Sequence, residues 1–372
     1  MIPKQNILIL AGEESGDMLG ANLISCLRAT RPDLRIYAFG GLRMKEAGAQ
    51  LLFNTLDTAV VGVFEVLKAL PKLLALEKKI LSWVVTNLPR AILLIDYPGF
   101  HLRLLPRLAG LVPVYWYIPP KVWVWKPGRA ALLEKLCKKV YTIFPFEKTW
   151  FPQKGAYFGH PLIDSTKPAL DRDEFLKSLG LDPKSRVIAL MPGSRKQEIS
   201  RMLPEFLKAA RTLKSKFPDL EFILPRPNSV SESMYRLDGY PVKMICGNSV
   251  EVMHSAQIVL ATSGTVTLEA AILRKPMVIC YQVNWLTYLA FQHLSSVSWV
   301  GLPNILAGKE ICPELLQKNM QAEKIVEVVS GLIREPKRLQ AQIENLHTIV
   351  ASLGEDGVNQ RIAGDLAESL GR

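Results

Sequence analysis

The sequence predicts an α/β protein made of two parallel-sheet domains, on three observations. Short β-branched apolar runs alternate with stretches of helical periodicity, the pattern of a sheet covered by helices. The runs fall into two sets, separated by a polar stretch at 164–184 that contains Lys167-Pro168 and Asp182-Pro183. The stretch 258–281, IVLATSGTVTLEAAILRKPMVICY, contains one complete unit. It has an apolar strand, a small-residue loop, and a helix with Leu268, Ala271 and Ile272 on one face; a stop at Arg274-Lys275-Pro276 and a second buried strand complete it. A chain of 372 residues with 49% hydrophobic content can fill two cores of ordinary size. The expected divisions are residues 1–165, residues 166–345 and a helical tail at 346–372.

In the first set, a strand at 6–11 runs into Gly12-Glu13-Glu14-Ser15-Gly16-Asp17 and then a helix from Met18. The glycines permit a tight strand-to-helix turn. The acids would repel phosphate but can hold sugar hydroxyls; they also read as a capped turn, with Ser15 or Asp17 as the cap. No GxGxxG is present in this turn, which argues against a dinucleotide there. Further strands are expected at 35–39, 91–95, 114–117, 140–143 and 156–158. Asp96 ends the strand at 91–95, and the carboxyl ends of parallel strands are where such sheets meet ligands. His101 follows closely. The plainer reading makes Asp96 a helix cap and His101 a surface residue. Pro119, Pro120, Trp123 and Trp125 form a rigid aromatic loop, fit to line a sugar or lipid site or simply to pack.

Residues 58–80 carry a wide apolar stripe of Val63, Phe64, Val66, Leu67, Leu70, Leu73 and Leu74, interleaved with Lys68, Lys72, Lys78 and Lys79. This reads either as an amphipathic core helix or as a helix lying in a membrane interface. Pro71 predicts a kink or a restart within it.

In the second set, strands are expected at 187–190, 222–225, 242–245, 258–260 and 277–281. The loop after the first holds Gly193, Ser194, Arg195 and Lys196 at a helix start. Amides there favour an anion, and Arg195 can grip two oxygens of a diphosphate. The loop at 261–265 offers Thr262, Ser263, Gly264 and Thr265 to another helix start, with Glu269 one turn on, where a carboxylate can accept both hydroxyls of a ribose. Phosphate on amides and ribose on an acid suggest a nucleotide; the alternative is a Ser263 cap with Glu269 on the surface. Residues 284–297, with Trp285, Tyr288 and Phe291, are a second candidate for apolar surface contact.

The net charge of +12 asks for an acidic partner: nucleic acid, anionic lipid or a phosphorylated substrate. There is no zinc-finger spacing and no RNP motif, so no nucleic-acid partner is expected, and a basic surface with exposed apolar residues suits an anionic membrane surface better. Apolar runs are too short to span a bilayer, and no signal peptide is expected at the N-terminus. Five cysteines are scattered singly, without a disulfide framework, which suggests a reducing compartment.

Taken in order, the blocks AGEESGD at 11–17, VGVFEVL at 61–67, IDYPGF at 95–100, VWVW at 122–125 and FPFE at 144–147 belong together. GHPL at 159–162, MPGSR with Glu198, ATSGTVTLE at 261–269, LPNILAG at 302–308 and PELLQ at 313–317 extend the series over almost the whole chain. This ordered set resembles the bacterial lipid-A-disaccharide synthases.

The resemblance implies the GT-B architecture, two Rossmann-like domains facing a cleft. It implies an inverting transfer from UDP-2,3-diacylglucosamine to 2,3-diacylglucosamine 1-phosphate (lipid X), giving a β-1′,6-linked disaccharide and UDP in lipopolysaccharide synthesis. Asp96 would be the base or orient it, with His101 as a supplement or replacement. Glu13, Glu14, Ser15 and Asp17 would lie near the sugar or acceptor, with Trp123 and His160 as further substrate contacts. Arg195 would neutralise the diphosphate, Glu269 would take the ribose, Asn304 and Gln317 would help hold UDP, and Gly193, Ser194, Glu198 and the 262–265 loop would be further nucleotide-binding residues. No metal and no cofactor are implied. The expected place is the cytoplasmic face of the inner membrane, touched by Phe64, Val66, Leu67, Leu70, Leu73 and Leu74, and a homodimer is suggested. This chain departs from the family pattern at Gly99, His101 and Gln282, which stand where Asp, Asn and Arg are usual. The rival readings are another GT-B enzyme such as an N-acetylglucosamine transferase, a UDP-sugar 2-epimerase, and a non-catalytic nucleotide-binding adaptor.

Overall fold

The computed structural model describes residues 5–55, 63–237, 239–284 and 297–371, with the backbone alone for 63–69. The chain divides into two compact units, residues 1–164 with 353–372, and residues 165–352.

The first unit holds a seven-stranded sheet of β1 (Asn6–Ala11), β2 (Arg35–Gly40), β3 (Gln50–Asn54), β4 (Ala91–Ile95), β5 (Val114–Tyr117), β6 (Lys139–Thr142) and β7 (Gly155–Tyr157). All pairs are parallel, in the order β3-β2-β1-β4-β5-β6-β7. The sequences NILILA, AILLI and VYWY are apolar throughout because helices cover both faces, and every residue of β1, β4 and β5 is buried. The helices are α1 (Glu14–Thr30), α2 (Leu42–Glu46), α3 (Val63–Asn87), α4 (Pro98–Ala109), α5 (Gly128–Leu136) and α6 (Leu162–Ser165).

The second unit repeats the plan. Its strands are β8 (Arg186–Met191), β9 (Leu220–Arg226), β10 (Lys243–Cys246), β11 (Ile258–Thr262), β12 (Met277–Tyr281) and β13 (Glu314–Leu316), again all parallel, in the order β10-β9-β8-β11-β12-β13. Its helices are α7 (Arg172–Ser178), α8 (Lys196–Lys216), α9 (Ser249–Ser255), α10 (Thr265–Ile272), α11 (Leu302–Ala307), α12 (Ala322–Arg334) and α13 (Pro336–Ser352). In both sheets the strand order reverses beside the first strand, between β1 and β4 and between β8 and β11. Crevices outside the carboxyl ends of strands at such a switch point are where open α/β sheets bind ligands.

The last helix, α14 (Val358–Leu370), packs on α1 within the first unit. Asp164 caps its start by accepting from the Gly357, Val358 and Asn359 amides at 2.8, 3.2 and 3.0 Å. Asp365 further along accepts from Lys139 Nζ and the Tyr141 hydroxyl, both at 2.8 Å.

The restart that Pro71 could have imposed is absent: α3 runs without a break from Val63 to Asn87, with Pro71 inside it and exposed. Leu76, Ile80 and Val84, four residues apart, face the core, and Leu73 packs beside them. Leu70 and Leu74 point outward, 40% and 43% exposed. The side chains of Phe64, Val66 and Leu67, and all of residues 285–296, lie outside the described residues. No described helix is long and apolar enough to cross a membrane.

Candidate active site

At the carboxyl ends of β1 and β4 the first unit brings Glu13 and Asp96 together. Glu13 is half-buried in the turn before α1, and Asp96 leaves β4 in the left-handed region, at φ +46°. Tyr97 follows at φ +50°, and two successive non-glycine residues of this kind are strained by about 1–2 kcal/mol each. The turn is tied down on several sides. The Asp96 amide donates to the Tyr117 carbonyl at 2.9 Å, and the Phe100 and His101 amides both donate to the Tyr97 carbonyl. The Tyr97 ring lies over Gly12, where an added Cβ would sit 2.1 Å from the ring. Only glycine fits there.

Burial pushes the Asp96 carboxyl up to about 6; the negative charge of Glu13 adds to the effect, and Lys121 opposes it. His101 is not the surface residue the plainer reading expected. It is 2% exposed, its Nδ1 stands 2.7 Å from the Asp96 carbonyl oxygen, and burial lowers its pKa to about 4. Glu14 and Ser15 are exposed on the first turn of α1, with Glu14 3.5 Å from Arg43.

Three residues expected at the substrate are turned elsewhere. Asp17 is 1% exposed, and its carboxylate accepts from the Gly41, Arg43 and Met44 amides at 2.7, 3.2 and 3.2 Å. It caps α2, whose first amides have no partner of their own. Trp123 is buried and donates its Nε1–H to Glu147 at 2.8 Å, and Glu147 also accepts from the Ile143 and Phe144 amides. The VWVW and FPFE blocks are thus two halves of one clasp. His160 is buried against Phe144, and its Nδ1 accepts from the Leu162 amide at 3.2 Å. Lys121, overlooked in the sequence, is exposed, and its charge opposes the rise at Asp96. Its position between two prolines and an apolar run carried no charge pattern to mark it.

In the second unit, Gly193 turns at φ +107° after β8, and the Glu198 carboxylate folds back under the loop. It accepts from the Ser194 and Arg195 amides at 3.1 and 3.3 Å and pairs with the Arg195 guanidinium at 3.2 Å. An internal carboxylate thus occupies these amides, and the exposed Arg195 side chain is what the loop presents to a ligand. After β11, Gly264 and Thr265 are exposed at the start of α10, the Ser263 hydroxyl donates to the Val300 carbonyl at 2.7 Å, and the buried Thr262 hydroxyl has no partner among the described residues. Glu269, one turn into α10, is held above the usual carboxylate range by burial.

Asn304, expected at the nucleotide, is fully buried and fully used. Its Nδ2 donates to the Cys312 carbonyl and to Glu314, and its Oδ1 accepts from the Ile311 and Cys312 amides, all within 2.9 Å. With Glu314, which accepts from the Val300 and Gly301 amides, it fastens α11 to β13. Gln317, at φ +51° just beyond β13, does line open space: a pocket of ≈ 790 Å³ bounded also by Arg201, Glu205, Gln282 and Lys318. Arg201 and Glu205 went unnoticed because on α8 they look like ordinary surface charges.

A family model described as lipid-A-disaccharide synthetase matches residues 7–363. A lipid-A-disaccharide synthase of Geobacter sulfurreducens is 36% identical over 375 residues, covering 98% of this chain and 97% of the relative. Among solved structures, a UDP-GlcNAc 2-epimerase from Neisseria meningitidis bound to UDP-GlcNAc superimposes with TM-score 0.63 at 14% identity, over 97% of this chain and 99% of the other. The calicheamicin glycosyltransferase CalG4 does so with TM-score 0.62 at 17% identity, over 100% and 99%. These two likenesses show the shared GT-B fold.

Proposed function

The chain belongs to the lipid-A-disaccharide synthase family of glycosyltransferases, and from that premise we propose that it transfers the sugar of UDP-2,3-diacylglucosamine to the 6-hydroxyl of 2,3-diacylglucosamine 1-phosphate with inversion. One observation in the site carries the mechanism: a carboxylate at the carboxyl end of β4, in a strained turn beside Glu13, with its pKa raised to about 6. Such a group is mostly ionised at neutral pH yet basic enough to take a proton in the transition state. As the acceptor oxygen bonds to the donor's anomeric carbon, Asp96 receives the hydroxyl proton and the bond to UDP breaks. The charge that develops on the leaving diphosphate is met by Arg195 and by the amide end of α10, with Glu269 on the ribose. The UDP-sugar is a substrate, so this scheme requires no cofactor.

Both lipids keep their acyl chains in a bilayer, so the enzyme must come to it. Leu70 and Leu74 supply exposed apolar area on α3, with Lys72 and Lys78 exposed nearby to attract anionic headgroups at the inner face of the cytoplasmic membrane. The test is UDP release from the two purified lipids. The native protein is expected to release UDP only when both are present, and Asp96→Ala about 100-fold more slowly or worse. Release without the acceptor lipid would point to another reaction.

A further inference from the structure

We propose that His101 is a positioning residue, whose Nδ1–H holds the Asp96 main chain in the left-handed turn that aims the Asp96 carboxylate. This rests on the reading of Asp96 as the base. Pro98 has no N–H to offer the Asp96 carbonyl, and the amides of Phe100 and His101 both go to Tyr97 instead. The imidazole supplies the donor that the backbone does not, at 2.7 Å. Its ring is fixed by edge contacts with Tyr97 and Trp116, at centroid distances of 5.7 and 5.9 Å. It borders a cavity of ≈ 10 Å³, room for about one water, lined also by Gly12, Thr55 and Tyr97. A ring this buried is poorly placed to touch an acyl sugar. Released, the Asp96–Tyr97 pair would relax toward ordinary backbone angles, and a misplacement of about 1 Å can cost on the order of 100-fold in rate.

An asparagine amide overlays the Nδ1 end of an imidazole, whereas a glutamine amide overlays the Nε2 end. His101→Asn is therefore expected to keep at least about a third of the native kcat, and His101→Gln and His101→Leu to lose about 10-fold or more, with UDP affinity unchanged in all three. A general packing role would not separate Asn from Gln in this way. In an Asp96→Asn background, His101→Leu is expected to cost little further rate, because its effect runs through Asp96. Equal kcat for the Asn and Gln variants would overturn the proposal, as would a His101→Leu loss that multiplies in full onto that of Asp96→Asn. Near-native turnover by Asp96→Asn alone would instead defeat the reading of Asp96 as base, and is seen separately.

Discussion

The two units share one strand plan and differ in what they place at the switch point. Between β1 and β4 stand two acids, one in a strained turn; between β8 and β11 stand an exposed arginine paired with Glu198, an exposed helix start and Glu269 one turn in. A shared topology puts a crevice at the same place in each unit, and the residues of the loops set what chemistry each crevice can offer. Each first loop also needs a glycine, for a different neighbour. At Gly12 the obstacle is the Tyr97 ring, and at Gly193 it is the Glu198 carboxylate, 2.4 Å from an added Cβ, together with a φ of +107°.

That contrast can be broken one side at a time. Gly12→Ala should push Tyr97 aside and move Asp96, lowering kcat about 10-fold or more while UDP binding stays native. Gly193→Ala should do the reverse, weakening UDP binding with its main cost in KM for the donor. Steady-state kinetics beside UDP titration checks both, and a shared pattern for the two variants would dissolve the division of labour.

The next effect is smaller. Leu70→Ser with Leu74→Ser should shift the protein from anionic vesicles toward the supernatant, with its melting temperature kept, because both residues are already exposed. Binding that survives the change in a folded protein would place the contact elsewhere on the surface.

The smallest effect concerns stability. Asp96 has a folded-state pKa of about 6, above the unfolded value, so its ionisation disfavours the folded state. The relative stability it confers is full below about pH 4 and is lost as pH rises through about 6. Asp96→Asn should therefore melt higher than the native protein at pH 8, and the gap should close toward pH 4. A constant gap across that range would mean that the carboxylate is not held in the buried environment described.

Much of the fold was legible because central strands buried on both faces must be apolar along their whole length, as NILILA and MVICY are. The edges were not. QLLFN in β3 is only half-buried, and ELL in β13 spans three residues, so neither makes a run long enough to stand out. In the site, the loops were found but the direction of single side chains was not. Asp17, Trp123, His160 and Asn304 sit in the expected sequence blocks, yet each satisfies a neighbouring turn, because an unpaired buried amide or ring N–H costs about 1–3 kcal/mol. Which neighbour lies within reach is decided by packing that no local pattern records. The place of Glu269 on α10 was legible because it lies one helical turn beyond a helix start, a spacing that the backbone itself enforces.

The measurement that bears most directly on this division is calorimetric titration of UDP into the native protein, Asp96→Asn, Arg195→Ala and Glu269→Ala. Asp96→Asn should bind UDP with native affinity although it turns over poorly. Arg195→Ala and Glu269→Ala should each lose on the order of 10-fold or more in affinity, the worth of a hydrogen bond to a charged group. Native affinity in both Arg195→Ala and Glu269→Ala, with weakened binding in Asp96→Asn, would contradict the account and move the nucleotide to the first unit.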